Sequence, residues 1–161
     1  MDSKKMKTVR RLEQKLNIYT NIVTEIAALS AASTKKVACM AIKKDFSKIA
    51  SFGYNGSYPG ADVYETTGTI EESLEPGKSG LIHAEVNMIA KFKENDPDNY
   101  IIILTLSPCK ECTKILATAG FKWIYWLEEY RNTDHLEIFD RCNIKYGDIK
   151  KLHQDYQDLI M

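Results

Sequence analysis

The chain has 161 residues, with 22 Lys and Arg against 22 Asp and Glu, so its formal net charge is zero. That length suits a single domain with a sizeable core, and balanced charge offers no broad basic field for a polynucleotide partner. No apolar run reaches membrane-spanning length and Met1-Asp2-Ser3-Lys4-Lys5 leads into no signal-peptide apolar segment, so the expectation is a soluble, cytoplasmic protein with no membrane partner.

From Met6 to Leu29, apolar residues fall at Val9, Leu12, Leu16, Tyr19, Ile22, Val23, Ile26 and Leu29, the three-and-four spacing of one helix face. No glycine or proline interrupts it. Its Lys- and Arg-rich start leaves residues 1–14 readable either as first turns or as a loosely attached N-terminal extension. Ser30 to Lys36 is a small, polar connection. Val37-Ala38-Cys39-Met40-Ala41-Ile42 reads as a buried strand, Lys43 to Ser47 as a turn, and Lys48 to Tyr54 as its antiparallel partner. Residues 55–80 are loop-like, punctuated by Gly56, Pro59, Gly60, Gly68, Pro76, Gly77 and Gly80. A loop of this length in a compact domain points to an active-site segment, or, for its middle from Val63 to Leu74, to a tolerated surface insertion.

Leu81 opens a helical pattern with Ile82, Val86, Met88, Ile89 and Phe92 on its buried side, and Tyr100 to Leu106 is a continuous apolar strand. Ser107 is placed to cap the next helix and Pro108 suits its first turn, where a missing amide hydrogen costs nothing. Gly120 ends that helix. A strand from Trp123 to Leu127, a helix from Thr133 or Asp134 through Cys142, a short strand near Ile144 to Ile149 and a terminal helix from Lys151 complete the chain. This order implies one α/β domain across residues 1–161, with a mixed central sheet of about five strands and helices on both faces. Cys39 and Cys142 lie in apolar contexts and read as buried thiols, which fits a reducing compartment.

Two short motifs carry chemistry: His83-Ala84-Glu85 and Pro108-Cys109-Lys110-Glu111-Cys112. One imidazole and two thiolates are ligands that zinc selects, and a catalytic zinc keeps its fourth position for water. Cys109 and Cys112, three apart on a helix, can meet one metal, and helix-end amides favour their thiolate forms. Glu85, two residues beyond His83, diverges from the ligand direction yet can reach the open position, where a carboxylate takes a proton and returns it. Each half alone is weak, because His-x-Glu occurs by chance and Cys-x-x-Cys also serves redox pairs, structural zinc sites and buried thiols. Together, each opening a helix, they match the H-x-E and P-C-x-x-C signature of zinc nucleobase deaminases.

This element order with these motifs resembles the cytidine deaminase fold. From about Ile22 to Ile144 the chain is most similar to the deoxycytidylate (dCMP) deaminases of that family, bacteriophage forms included. Gly53-Tyr54-Asn55-Gly56, Lys35-Lys36-Val37-Ala38 and Leu127-Glu128-Glu129-Tyr130-Arg131 extend the likeness. Free-nucleoside cytidine deaminases typically carry cysteine at the first ligand position, whereas dCMP deaminases and tRNA adenosine deaminases carry histidine, and Tyr54-Asn55-Gly56 then leans toward the nucleotide enzyme. The resemblance implies that His83, Cys109 and Cys112 hold Zn2+ and that Glu85 shuttles protons. It also implies that Asn55 meets the sugar, that Tyr130 sits near the sugar and 5′-phosphate, and that Ala84, Ser107 and Pro108 line the substrate position. The reaction implied is dCMP plus water giving dUMP and ammonia, in a homo-oligomer with dCTP and dTTP as candidate effectors. The phage likeness adds a host cytoplasm as the setting.

The residues themselves leave alternatives. Lys35, Lys36 and Arg131 can meet a 5′-phosphate or be solvated surface charges. Asn55 precedes glycine and is also a turn residue that tolerates positive φ, and Tyr130 can be a packing residue. Ser57-Tyr58-Pro59-Gly60-Ala61-Asp62 only partly matches the run that helps form the effector site of regulated relatives, which leaves triphosphate control open. The substrate can be another or a modified cytosine nucleotide, a nucleoside, a nucleobase or a polynucleotide. In a third reading the domain binds without turnover around a structural zinc, and Cys142 or His135 closes the fourth position. His135 and His153 otherwise read as surface or capping residues.

Overall fold

A computed structural model describes residues 2–33, 35–60, 80–130 and 132–160. Helix α1 (Ser3–Ala27) runs unbroken from the Asp2 cap, whose carboxylate accepts the Lys5 amide at 2.8 Å. The outer turns are thus part of the same helix, with most of their side chains exposed, and Leu16, Val23 and Ala27 are buried. Strands β1 (Ala38–Lys43) and β2 (Ile49–Tyr54) form the expected antiparallel pair, and a turn at Phe46 joins them. Next come helix α2 (Ala84–Lys91), strand β3 (Tyr100–Leu106), helix α3 (Lys110–Thr118) and strand β4 (Trp123–Glu128). Helix α4 (Glu137–Arg141), strand β5 (Lys145–Asp148) and helix α5 (Ile149–Ile160) complete the fold.

The five strands lie in the order β2-β1-β3-β4-β5; β1 is antiparallel to β2 and β3, while β3, β4 and β5 are parallel. Strand side chains alternate between two cores, as a period of two requires. Cys39, Ala41, Ile102, Leu104, Ile124 and Trp126 face α2, α3 and α4 through Ala84, Met88, Leu116 and Phe139. Ala38, Met40, Ile42, Ile101, Ile103 and Tyr125 face α1 and α5 through Leu16, Val23 and Leu152. This is the mixed sheet with two helical layers expected from the element order. Because β1 is antiparallel to both neighbours, its first residues share a sheet edge with the last residues of β2 and β3, and the site forms there.

Three local readings are corrected. The helix after residue 80 starts at Ala84, not Leu81, because Ile82 is extended and bridges Gly56. Val86 is 36% exposed rather than buried, since Ala84 and Met88, four apart, take the inward face. The stretch after Thr133 first makes a 3-10 turn over Asp134–Leu136, and α4 is only five residues long.

Candidate active site

Leu106, Ser107 and Cys109 follow β3, Asn55 follows β2, Val37 precedes β1, and His83, Ala84 and Glu85 open α2; with Tyr130 beyond β4 they line one pocket of about 380 Å3 counted to its open mouth. The carboxyl ends of parallel strands are the usual place for a ligand in open α/β sheets. His83 is the N-cap of α2 and Cys109 the N-cap of α3. Two helix starts, each with free amides and the positive end of its dipole, therefore converge here. Ser107 is not the cap of α3, since Cys109 takes that place by accepting the Cys112 amide on Sγ at 3.5 Å. The Ser107 hydroxyl instead accepts the Tyr130 amide at 2.6 Å, and its own amide donates to the Glu128 carbonyl at 2.9 Å, which pins the chain after β4 to the chain after β3.

His83 Nδ1 lies 3.5 Å from Cys109 Sγ and 3.4 Å from Cys112 Sγ, and the three ligand atoms all fall within 4.8 Å of one another. A tetrahedral zinc with bonds of about 2.3 Å to sulfur and 2.0–2.1 Å to nitrogen separates those atoms by about 3.6 Å, so the donors fit the ion in type and in spacing. Among the described residues no further histidine, cysteine or acid joins the group. His135, one proposed closing ligand, donates from Nε2 to the Pro108 carbonyl at 2.8 Å. The Cys142 thiol is half-buried and free, and it lies outside the group.

The electrostatics suit a cation. Cys109 has its pKa pushed down to about 4, first by the hydrogen bond with Cys112 and further by His83, with burial opposing; Cys112 moves up, the shared proton resting on it. His83 is raised, chiefly by its hydrogen bond with Cys109. Glu85 is 4% exposed, and burial raises its carboxyl, with a hydrogen bond from Cys112 working the other way. A buried acid with a raised pKa at a pocket wall is poised to hold a proton.

Asn55 is 5% exposed and is not in the left-handed backbone region, so the turn reading of this asparagine is corrected. Its Oδ1 accepts the Val37 amide and its Nδ2 donates to the Lys35 carbonyl, both at 2.9 Å, which braces the entry to β1. Tyr130 is half-buried, lines the pocket and packs on the core. Ala84 is fully buried at the pocket floor. Lys35 lies outside the lining, and its ammonium pairs with Glu128 at 2.7 Å; Lys36 donates to the Ser30 carbonyl at 2.7 Å. Arg131 and residues 61–79, most of the expected loop, lie outside the described residues. His153 borders a separate groove between α1 and α5. Sequence reasoning missed Val37 and Leu106, whose only signal was their position at strand ends.

A zinc-fitting His-Cys-Cys group beside a buried glutamate, at the sheet edge of this fold, is the class of site that zinc-dependent deaminases use. Residues 13–128 match the family described as the cytidine and deoxycytidylate deaminase zinc-binding region. The chain belongs to that family. It is 32% identical to human deoxycytidylate deaminase over 90 residues, 54% of this chain and 51% of the human protein. It is 27% identical over 160 residues to a probable deoxycytidylate deaminase of Caenorhabditis elegans, covering 99% of this chain and 77% of that one. The match to the human protein thus spans about half its length. The fold is shared with the dCMP deaminase of cyanophage S-TIM5. The apo form gives a TM-score of 0.68 at 24% identity, covering 85% of this chain and 98% of that one. The complex of that protein with dCMP and dUMP gives 0.65 at 24% identity, covering 83% and 95%.

Proposed function

We propose that the protein deaminates dCMP hydrolytically to dUMP and ammonia. The observation that carries the reading is the three-donor group with buried Glu85 on the same pocket wall, in a chain of this family. Support for the nucleotide substrate comes from the deoxycytidylate deaminases among its relatives and from the dCMP and dUMP complex of the similar phage protein.

His83, Cys109 and Cys112 are assigned as ligands of Zn2+. Zinc bound there supplies a water acidic enough to lose a proton near neutral pH. Glu85 would take one proton from the attacking water and pass it to ring nitrogen N3 as oxygen adds at C4, then carry a second proton from the new C4 hydroxyl to the amino group, which leaves as ammonia while the C4 carbonyl forms. Its burial serves both steps, because a raised pKa brings the carboxyl closer to neutrality, where acceptance and donation are both feasible. Ala84, Ser107 and Pro108 flank the base. Asn55 spends one N–H and one lone pair on the β1 entry, which leaves a second N–H for the sugar. Tyr130 is assigned beside the sugar and 5′-phosphate. Lys35 is available to the phosphate by exchanging its exposed partner Glu128, a surface pair that costs little to break. Arg131 is the second cation assigned.

Of the 55–80 stretch, Asn55 lines the pocket and Gly56 is bridged to Ile82 just before α2. Assembly as a homo-oligomer, response to dCTP and dTTP, and a cytoplasmic setting belong to the same reading. The test is ammonia release from dCMP, dCTP, deoxycytidine and cytidine, each with and without dCTP or dTTP, on protein of known zinc content. Preference for dCMP is expected. Equal rates on deoxycytidine would remove the phosphate contacts from the account, and no release from any of them would remove the reaction.

A further inference from the structure

On β2, Gly53 faces α2 at a distance that no side chain fits. A Cβ built there would stand 2.4 Å from the Met88 amide nitrogen, 2.5 Å from the Ala84 carbonyl oxygen and 2.8 Å from the Asn87 carbonyl carbon. All three are backbone atoms, so no rotamer change relieves the clash. Two further bonds fasten the same two elements. The Ser51 hydroxyl donates to the Met88 carbonyl at 2.6 Å, and Asn87 Nδ2 donates to the Tyr54 carbonyl at 2.8 Å. Glycine inside a strand ordinarily weakens it, and its recognised use is to let another backbone come close.

What comes close is the start of the helix that carries the site. Ala84 lies between His83 and Glu85, so the contact made through its carbonyl sits within one residue of a metal donor and of the acid. There is no lever arm to dilute a displacement. We infer that Gly53 is a positioning residue for the metal centre: by having no side chain it sets the depth of α2 against the sheet, and with it the reach of His83 toward Cys109 and Cys112. The inference rests on the proposed ligand assignment but not on the choice of substrate.

The magnitudes support it. Cβ atoms essentially never approach other atoms closer than 3.0 Å, so alanine at this position forces at least 0.6 Å of separation, the difference between 3.0 and 2.4. A metal site accepts ligand distances within about 0.2 Å of ideal, and a working constellation tolerates about 0.5 Å. The strand cannot absorb the change by leaving the sheet plane without bending the ladder that pairs Gly53 with Cys39 and Phe52 with Met40. The helix has the freer path, and it takes His83 with it.

The test compares zinc affinity, by chelator competition, among wild-type protein, Gly53→Ala, Ser51→Ala and a control, Leu152→Ala. Leu152 is buried in the opposite core and should cost stability without touching the site. Gly53→Ala is expected to weaken zinc binding by about 10–100-fold, the range seen when the support of a metal ligand is removed. Ser51→Ala should weaken it less, and Leu152→Ala should leave it within twofold. Wild-type affinity in folded Gly53→Ala overturns the inference, as does an equal loss in Leu152→Ala. Should Gly53→Ala fail to fold, Ser51→Ala decides: weaker zinc at preserved helical content supports the inference, and unchanged zinc overturns it. Failure of the wild-type protein to bind zinc sinks the ligand assignment itself, a different result from wild-type binding that the variants leave untouched.

Discussion

At the residue scale the proposed chemistry rests on Glu85, and its surroundings suit that role. It lies at the pocket wall, is nearly inaccessible to solvent, and has its carboxyl pushed up by burial. Glu85→Gln keeps the shape and removes the titratable proton. It should retain one zinc per chain while losing about 10²–10⁴ in turnover, the worth of a positioned acid-base group; rates within tenfold of wild type at equal zinc content would contradict the role. Asn55 braces the entry to β1 whatever it offers the sugar. Asn55→Ala strips partners from the Val37 amide and the Lys35 carbonyl, so it should cost about 1–3 kcal/mol in denaturant unfolding in addition to raising KM for dCMP. A variant of unchanged stability would show that the brace is unimportant. The grouping of His83, Cys109 and Cys112 near Glu85 was legible in the sequence, because donors of these types at this spacing are what a metal site of this kind requires. The brace was not, since nothing in Tyr-Asn-Gly tells a turn asparagine from one that holds a neighbouring strand.

At the scale of the element, the two helices that open on the pocket are short, and packing overrides their sequence signals. Ser107-Pro108 reads as cap and first turn, yet the Cys109 sulfur caps α3 and leaves Ser107 to hold Tyr130. In α2 two apolar stripes compete over eight residues, and the one with Ala84 and Met88 wins because only small or slender groups fit against Gly53. Val86 is left outside for that reason. The strands and the long α1 were legible because their apolar periodicity continues through enough residues to fix one face. Leu116, fully buried under α3 and away from the pocket lining, tests the helix as a support. Leu116→Ala should cost about 2–5 kcal/mol of stability, with the zinc content of the folded protein preserved. An undiminished stability would mean that α3 is not seated by this side chain.

Across the whole molecule the sheet separates two jobs, with the site on the face and edge shared with α2 and α3 and a polar tether on the other face. There the Tyr125 hydroxyl donates to Asp155 at 2.5 Å, and Lys151 bonds the other carboxylate oxygen at 2.7 Å. Burial first, and then Asp155, raises the Tyr125 pKa above its ordinary 10.0. A raised folded-state pKa means that the unfolded chain releases this proton first. The stability it confers is therefore complete below about pH 10 and declines as pH rises beyond it. Tyr125→Phe should lower stability at neutral pH and flatten the alkaline decline by up to about 1.4 kcal/mol per pH unit, read from denaturant curves between neutral and alkaline pH. Identical slopes would contradict the linkage. The sheet order and the two helical layers were legible from element order, whereas this tether joins residues thirty apart and left no local mark in the sequence.

The central claim is that three protein donors hold a metal with one position left for solvent. X-ray absorption at the zinc edge of the purified protein tests it most directly. The account predicts two sulfur neighbours at about 2.3 Å and two nitrogen or oxygen neighbours at about 2.0–2.1 Å, with Cys109→Ala losing the metal. A third sulfur in the shell, or full zinc occupancy in Cys109→Ala, would contradict it.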